Sequence, residues 1–193
     1  MRLYIIILIL FLLYSFSVQA AEGARLGYGL SLSNVTVEDP DGNVPTSTDF
    51  GFLNFYFFDE LWRDTRYYAE FVKLATDIDA EPSKIGQDIS STGLRTSFQK
   101  RWRLGRSFKP WIGLGIGVFQ EEFTQRYTVD NAGFLLVTFP DRDVSSVMLS
   151  VDAMNEWSLS ERFDIGVRLL YALPLDDGSK GISATAMLLY KGF

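Results

Sequence analysis

The chain has 193 residues, neither cysteine nor histidine, and 24 acidic against 18 basic side chains. Without cysteine there is no disulfide scaffold, thiol nucleophile or Cys-based zinc site; without histidine the commonest general base and metal ligand are gone. The net charge of −6 argues against nucleic acid as a partner, because phosphate backbones are bound by clustered Lys and Arg.

Residues 1–20, MRLYIIILILFLLYSFSVQA, read as a secretory signal peptide. Arg2 gives a charged start, Leu3 to Val18 is almost wholly apolar, and Val18 and Ala20 offer small residues for cleavage before Ala21. The apolar run is short for a spanning helix and lacks a basic flank behind it. No cysteine follows, so no lipid anchor is expected. Residues 21–193 then form the exported domain.

That domain reads as eight strands with apolar residues at period two. The first, about 25–37, sets Leu26, Tyr28, Leu30 and Leu32 against Gly27, Gly29, Ser31 and Ser33. The second, about 49–58, is aromatic on both faces, and its phase stays open. The third, about 65–76, sets Tyr67, Ala69 and Phe71 against Arg66, Tyr68 and Glu70. The fourth, about 90–102, sets Leu94, Phe98 and Trp102 against Arg95, Ser97 and Gln99.

The fifth, about 108–125, holds PWIGLGIGVF, where Ile112, Leu114, Ile116 and Val118 alternate with Gly113, Gly115 and Gly117. The sixth, about 145–157, opposes Val147, Leu149, Val151 and Ala153 to Ser150, Asp152 and Glu156. The seventh, about 162–173, opposes Phe163, Ile165, Val167, Leu169 and Tyr171 to Asp164, Gly166 and Arg168. The eighth, about 182–193, puts Ile182, Ala184, Ala186, Leu188 and Tyr190 on one face.

Connectors alternate between long polar segments and short turns, as in an antiparallel barrel whose short turns face the periplasm. One face of each clear strand is large and apolar. The other carries Gly, Ser and charge. Such an interior makes sense only if the apolar face meets lipid, and in lipid the sheet must close. The fold class is therefore all-β, an eight-stranded antiparallel transmembrane β-barrel; a secreted β-sandwich is the alternative. Aromatics near strand ends (Trp62, Tyr67, Trp102, Phe108, Trp111, Trp157, Phe163, Tyr171, Tyr190) are candidates for interfacial girdles.

Across residues 21–193 the strand count, the PWIGLGIGVF segment and the final aromatic resemble small outer-membrane barrels of the OmpA/OmpX/OmpW type. The resemblance implies a location in the bacterial outer membrane, among lipid and lipopolysaccharide. It also implies that Tyr190 and Phe193 in the terminal YKGF are read by the outer-membrane assembly machinery. Relatives carry an aromatic two residues before the last Phe; here Lys191 stands there, and a bulge at Gly192 would bring Tyr190 and Phe193 to one face. Enzymes on this scaffold use a histidine beside Ser or Asp, and no such site carries over to this chain.

Arg66, Glu70, Arg95, Asp152, Glu156, Asp164 and Arg168 share the expected lumen. Paired carboxylates are material for acid–base chemistry. Mixed signs in a narrow interior read instead as a salt-bridge plug, because isolated buried ions are far more costly than paired ones. The row Gly113, Gly115, Gly117 leaves room for a narrow water path. GLGIG lacks nucleotide-motif spacing, and nothing calls for a cofactor. Asp39, Asp41, Asp176 and Asp177 fit turn chemistry as well as weak Ca²⁺ binding, so no metal site is assigned.

The long loops are acidic, with Glu38, Asp39 and Asp41 in the first and Asp77, Asp79, Glu81 and Asp88 around the second. They suit lipopolysaccharide through bridging cations. Lys100, Arg101, Arg103 and Arg106 make one short turn basic. Within residues 127–145, the apolar GFLLVTF (133–139) reads as a protruding hairpin that binds an external partner by edge pairing, or as a lid over the mouth. The expected function is non-enzymatic, in envelope structure or surface interaction. A narrow channel for small or apolar solutes is the first alternative, and a lipid-modifying enzyme without histidine the second.

Overall fold

The structure is a computed structural model that describes residues 24–37, 46–62, 64–82, 84–105, 108–175 and 179–191. Residues 1–23, with the expected signal peptide, most of the first and fourth long loops, Arg106, Gly192 and Phe193 lie outside the described residues, with the expectations attached to them. Nine strands are present: β1 Arg25–Val37, β2 Thr46–Trp62, β3 Thr65–Ile78, β4 Gly86–Arg101, β5 Trp111–Val129, β6 Leu135–Thr138, β7 Arg142–Ser158, β8 Phe163–Pro174 and β9 Ser179–Tyr190. Eight form the wall in the order β4-β3-β2-β1-β9-β8-β7-β5, and β4 pairs with β5 to close it. Every neighbouring pair is antiparallel. No helix occurs among the described residues.

The expected faces are the observed faces. Along β5, Ile112, Leu114, Ile116 and Val118 point outward, and Leu114 is 70% exposed. The same outward apolar stripe runs along β1 and β8. Each such side chain left in water forgoes roughly 1.5–3 kcal/mol of burial. A ring of them is stable only against hydrocarbon, and closure removes the unpaired edges that hydrocarbon does not tolerate. Trp62, Trp102, Phe108 and Trp157 are exposed near the strand ends, as a girdle requires. Trp111 is a correction: it points into the lumen and is 1% exposed, because it shares the phase of Gly113.

β2 takes the phase that sequence left open, with Asn54, Tyr56 and Phe58 inward and Phe55 outward. Some strand ends also shift. β2 and β4 begin earlier than expected, and β5 begins at Trp111, after Pro110. A proline has no N–H for the ladder; instead Pro110 accepts from the Trp102 N–H at 2.8 Å and ends the β4–β5 turn.

The third long loop is a hairpin standing beyond the wall. The outward face of β5 turns polar after Val118, and the strand runs on to Val129. At ~3.4 Å per residue these last residues rise about 30 Å along the strand. Gln125 has φ 51° and, with Arg126, faces the single residue Gln87 across a bulge. The bulge turns Arg126 inward, where it donates to Gln87 at 3.2 Å and to the Pro140 carbonyl at 3.0 Å. Beyond it β6 pairs with residues 127–129 of β5. Gly133 at the tip has φ 82°, a conformation glycine adopts without strain.

Candidate functional site: the layered lumen

From the end that carries the short turns, the lumen is filled in layers. The first layer is ionic. Arg25 bonds Glu60 at 2.9 Å, Glu156 at 3.0 Å and Asp164 at 3.2 Å. Lys191 reaches Asp164 at 2.7 Å, and Arg66 pairs with Glu156. Arg66 also donates from Nε to Gln99 at 2.7 Å. Its guanidinium lies 4.1 Å from the Trp111 ring centroid and 4.7 Å from that of Phe58. That placement explains the inward Trp111, since a cation over an aromatic face is attracted to it.

The second layer is an aromatic and sulfur-rich slab of Tyr56, Phe58, Tyr68, Trp111, Met154, Met187 and Leu189. The third is the mid-barrel network. Glu70 accepts from Arg168 at 2.7 and 2.8 Å and from Arg95 Nε at 2.9 Å. Arg168 donates further to the hydroxyls of Tyr68 and Tyr56, each at 3.0 Å, and of Thr185 at 3.3 Å. Asp152 accepts from Ser97 at 2.6 Å and from Gln99.

The structure therefore brings Arg66, Glu70, Arg95, Asp152, Glu156, Asp164 and Arg168 together in the lumen, in two layers separated by aromatics. Arg25, Glu60 and Lys191 belong to the same system and were not among the expected lumen residues. Arg25 lies on the face of Gly27 and Gly29, so its inward phase was readable. Lys191, unusual as a departure from the terminal pattern, holds Asp164. Tyr190 packs against Phe163 with ring centroids 5.4 Å apart and the planes tilted by 49°.

This network suits closure better than catalysis. Glu70 is buried and engaged by two guanidiniums, and Asp152 by two neutral donors, so neither carboxylate is placed as a free base. At the glycine row the neighbouring strands stand close. A Cβ at Gly113 would stand 2.6 Å from Gln99 Cγ, and one at Gly115 2.7 Å from the Thr96 carbonyl. Neighbouring side chains already occupy that space. Among the described residues no group of three or more acidic side chains is placed to hold a metal ion.

Beyond Glu70 the lumen changes character. Val72, Phe119, Met148, Leu170 and Ala172 form an apolar cluster with Leu74, and Ile89, Phe123 and Val144 form another with Val35 and Ile78. Outside the mouth, Phe134, Leu135, Leu136 and Val137 of the hairpin are all at least half exposed.

No family model and no curated protein sequence matches the chain. Solved structures do. Neisserial surface protein A (NspA) aligns at TM-score 0.63 and 12% identity, over 90% of this chain and 100% of that one. The attachment invasion locus protein Ail of Yersinia pestis, in complex with the heparin analogue sucrose octasulfate, aligns at 0.53 and 18% identity, over 88% and 99%. Ail alone gives 0.54 and 16% over the same shares. A closed antiparallel wall, an outward apolar belt and these alignments over whole chains agree: this chain has the fold of the eight-stranded outer-membrane β-barrels of the OmpA/OmpX/Ail type.

Proposed function

We propose that this chain is an exported, non-enzymatic outer-membrane barrel that works at the cell surface through its protruding hairpin and carries no ions through its lumen. The observation that carries this reading is the pairing of a lumen closed by two ionic layers and an aromatic slab with an apolar hairpin held about 20–25 Å beyond the lipid-facing belt, the along-strand rise reduced by the strand tilt. A hairpin tip that far from its own bilayer gains nothing from that lipid. It offers an external protein partner a short strand edge, because β6 pairs only with β5 among the described residues. A lid over the mouth fits less well, since four consecutive apolar residues of the hairpin are exposed. The two comparison proteins, a surface protein and an attachment invasion locus protein, point the same way.

The wider reading follows. Cleavage before Ala21 releases the domain, the short turns face the periplasm, and the last strand with Tyr190 and Phe193 engages the assembly machinery. The outer belt then sits in lipid and lipopolysaccharide.

The absence of cysteine makes orientation easy to test. Ala132→Cys on the hairpin should react with a membrane-impermeant maleimide on intact cells, and Ser160→Cys in a short turn only after lysis. The reverse pattern overturns the reading. Refolded protein in planar bilayers should show no unitary openings; steady conductance would establish the channel alternative.

A further inference from the structure

Charge is unevenly spread along the wall. Residues 89–120 hold six Lys and Arg side chains and no Asp or Glu, in a chain whose acids outnumber its bases. Five of the six fall between Lys100 and Lys109, in the β4–β5 turn and the strand end beside it. The other short turns are mixed: Arg63 stands among Asp59, Glu60 and Asp64, and Glu161 beside Arg162. Among the described residues Lys100 and Lys109 have no ion pair, and Arg101 lies over the Trp111 ring at 4.2 Å. Arg103 has one bridge to Asp64, at 3.3 Å and exposed, and such a pair neutralises little.

Position turns this charge toward lipid. Lys100 is exposed on the outward face of β4, in series with Leu94, Phe98 and Trp102. Its neighbours across the two ladders are Thr65 of β3 and Ile112 of β5, and Phe98 is paired with Leu114, the most exposed residue of the belt on β5. The turn is held to the wall, since the Trp102 N–H donates to the Pro110 carbonyl and the Arg101 N–H to the Asp64 carbonyl. Trp102, Leu104 and Phe108 are exposed among the cations. An acidic partner in water would leave that apolar surface uncovered. A membrane interface takes both, with aromatic rings at headgroup level and long basic side chains reaching phosphate. The sign then selects the headgroup. A zwitterionic lipid brings a cation with each phosphate and leaves the surplus positive charge standing, whereas an anionic one compensates it.

We propose that the β4–β5 turn seats one anionic glycerophospholipid in the leaflet on the short-turn side. Lys100 takes its phosphate, and Lys109 and Arg103 add positive field from the turn. Trp102 packs at the glycerol, and the acyl chains lie along Phe98, Ile112 and Leu114. Naming that leaflet the periplasmic one rests on the proposed orientation. The headgroup preference does not, and it stands whatever the hairpin meets.

Trp102 reports the site. With Trp62→Phe and Trp157→Phe in place, the remaining tryptophans are Trp102 and Trp111, and Trp111 is buried in the lumen. This protein is refolded in two sets of nanodiscs of one phosphatidylcholine–phosphatidylglycerol mixture. Bromine sits on the chains of the same amount of one lipid or the other. Brominated phosphatidylglycerol should quench Trp102 as if enriched about fivefold beside it, the factor given by ~1 kcal/mol for one cation. Lys100→Gln with Lys109→Gln should make the two lipids equal. Lys73→Gln removes an outward cation toward the opposite end of the wall and should leave the preference in place. Heat-modifiable migration on a gel checks folding, and Lys100→Gln alone, which should at least halve the enrichment, serves if the double variant does not fold. Equal quenching by the two lipids before any lysine is changed overturns the site. So does a preference that survives the loss of both lysines. A preference lost equally with Lys73→Gln would mean attraction to overall charge only, and overturns it too.

Discussion

Below Glu70 the lumen is ionic, aromatic and tightly filled; above it the same eight strands enclose an apolar space with room left over. The two halves share their strands and their antiparallel pairing. What differs is the inward residue. On the short-turn side the inward positions of β2, β3 and β5 hold Tyr56, Phe58, Tyr68 and Trp111, and charges reach across between them. On the long-loop side β1, β8 and β9 point Ser31, Ser33, Ala172, Gly181 and Ser183 inward beside the larger Val35 and Leu170. A barrel of fixed strand number thus sets its interior volume by backbone geometry and its free space by side-chain size.

Removing the boundary between the halves should have the largest effect. Glu70→Gln leaves two buried guanidiniums without their shared anion, and should cost about 3–5 kcal/mol. The measurement is the urea midpoint of the refolded barrel in bilayers, and an unchanged midpoint would deny the network its structural role. Gly115→Val forces a side chain into the filled half, against the Thr96 carbonyl and Ser150. Overpacking of this kind should cost ~1–3 kcal/mol and lower the temperature at which the folded band is lost on a gel.

The comparison is sharpest when one exchange is made on both sides. Ser97→Val strips Asp152 of a buried donor and should cost ~1–3 kcal/mol. Ser183→Val projects into the apolar space above Glu70 and should cost less than about 1 kcal/mol, as surplus space absorbs the added carbons. Equal costs for the two would erase the distinction between the halves. The smallest effect belongs outside both. Gln125→Gly relieves a left-handed residue at the hairpin root and should gain no more than about 1 kcal/mol, read from the urea midpoint.

The wall was legible because its logic is local. A strand with Leu26, Tyr28, Leu30 and Leu32 at every second position assigns its own faces. The seven candidate lumen residues were found by the same rule. β2 was not legible, because Phe55, Tyr56, Phe57 and Phe58 offer an aromatic to both faces; its phase is decided by Tyr68 and Trp111 on other strands. Trp111 shows one local rule misapplied. Its position at a strand end pointed to the girdle, but its alternation with Ile112 already placed it inside. The apolar space above Glu70 was least legible of all, since no single strand reports it. It emerges only when the inward residues of β8, β9 and β1 are set side by side.

Arg25 has a consequence for how the molecule is made. It is the first residue of β1, and its partners include Glu156 and Asp164, more than a hundred residues later. Lys191, just past β9, takes the other oxygen of Asp164. These bonds straddle the seam where the first and last strands meet. Until that seam zips, Arg25, Glu156 and Asp164 stay apart and hydrated. The cluster therefore acts as a clasp at the end of biogenesis: an incompletely closed chain keeps its charges in water, and only the finished ring can withdraw them.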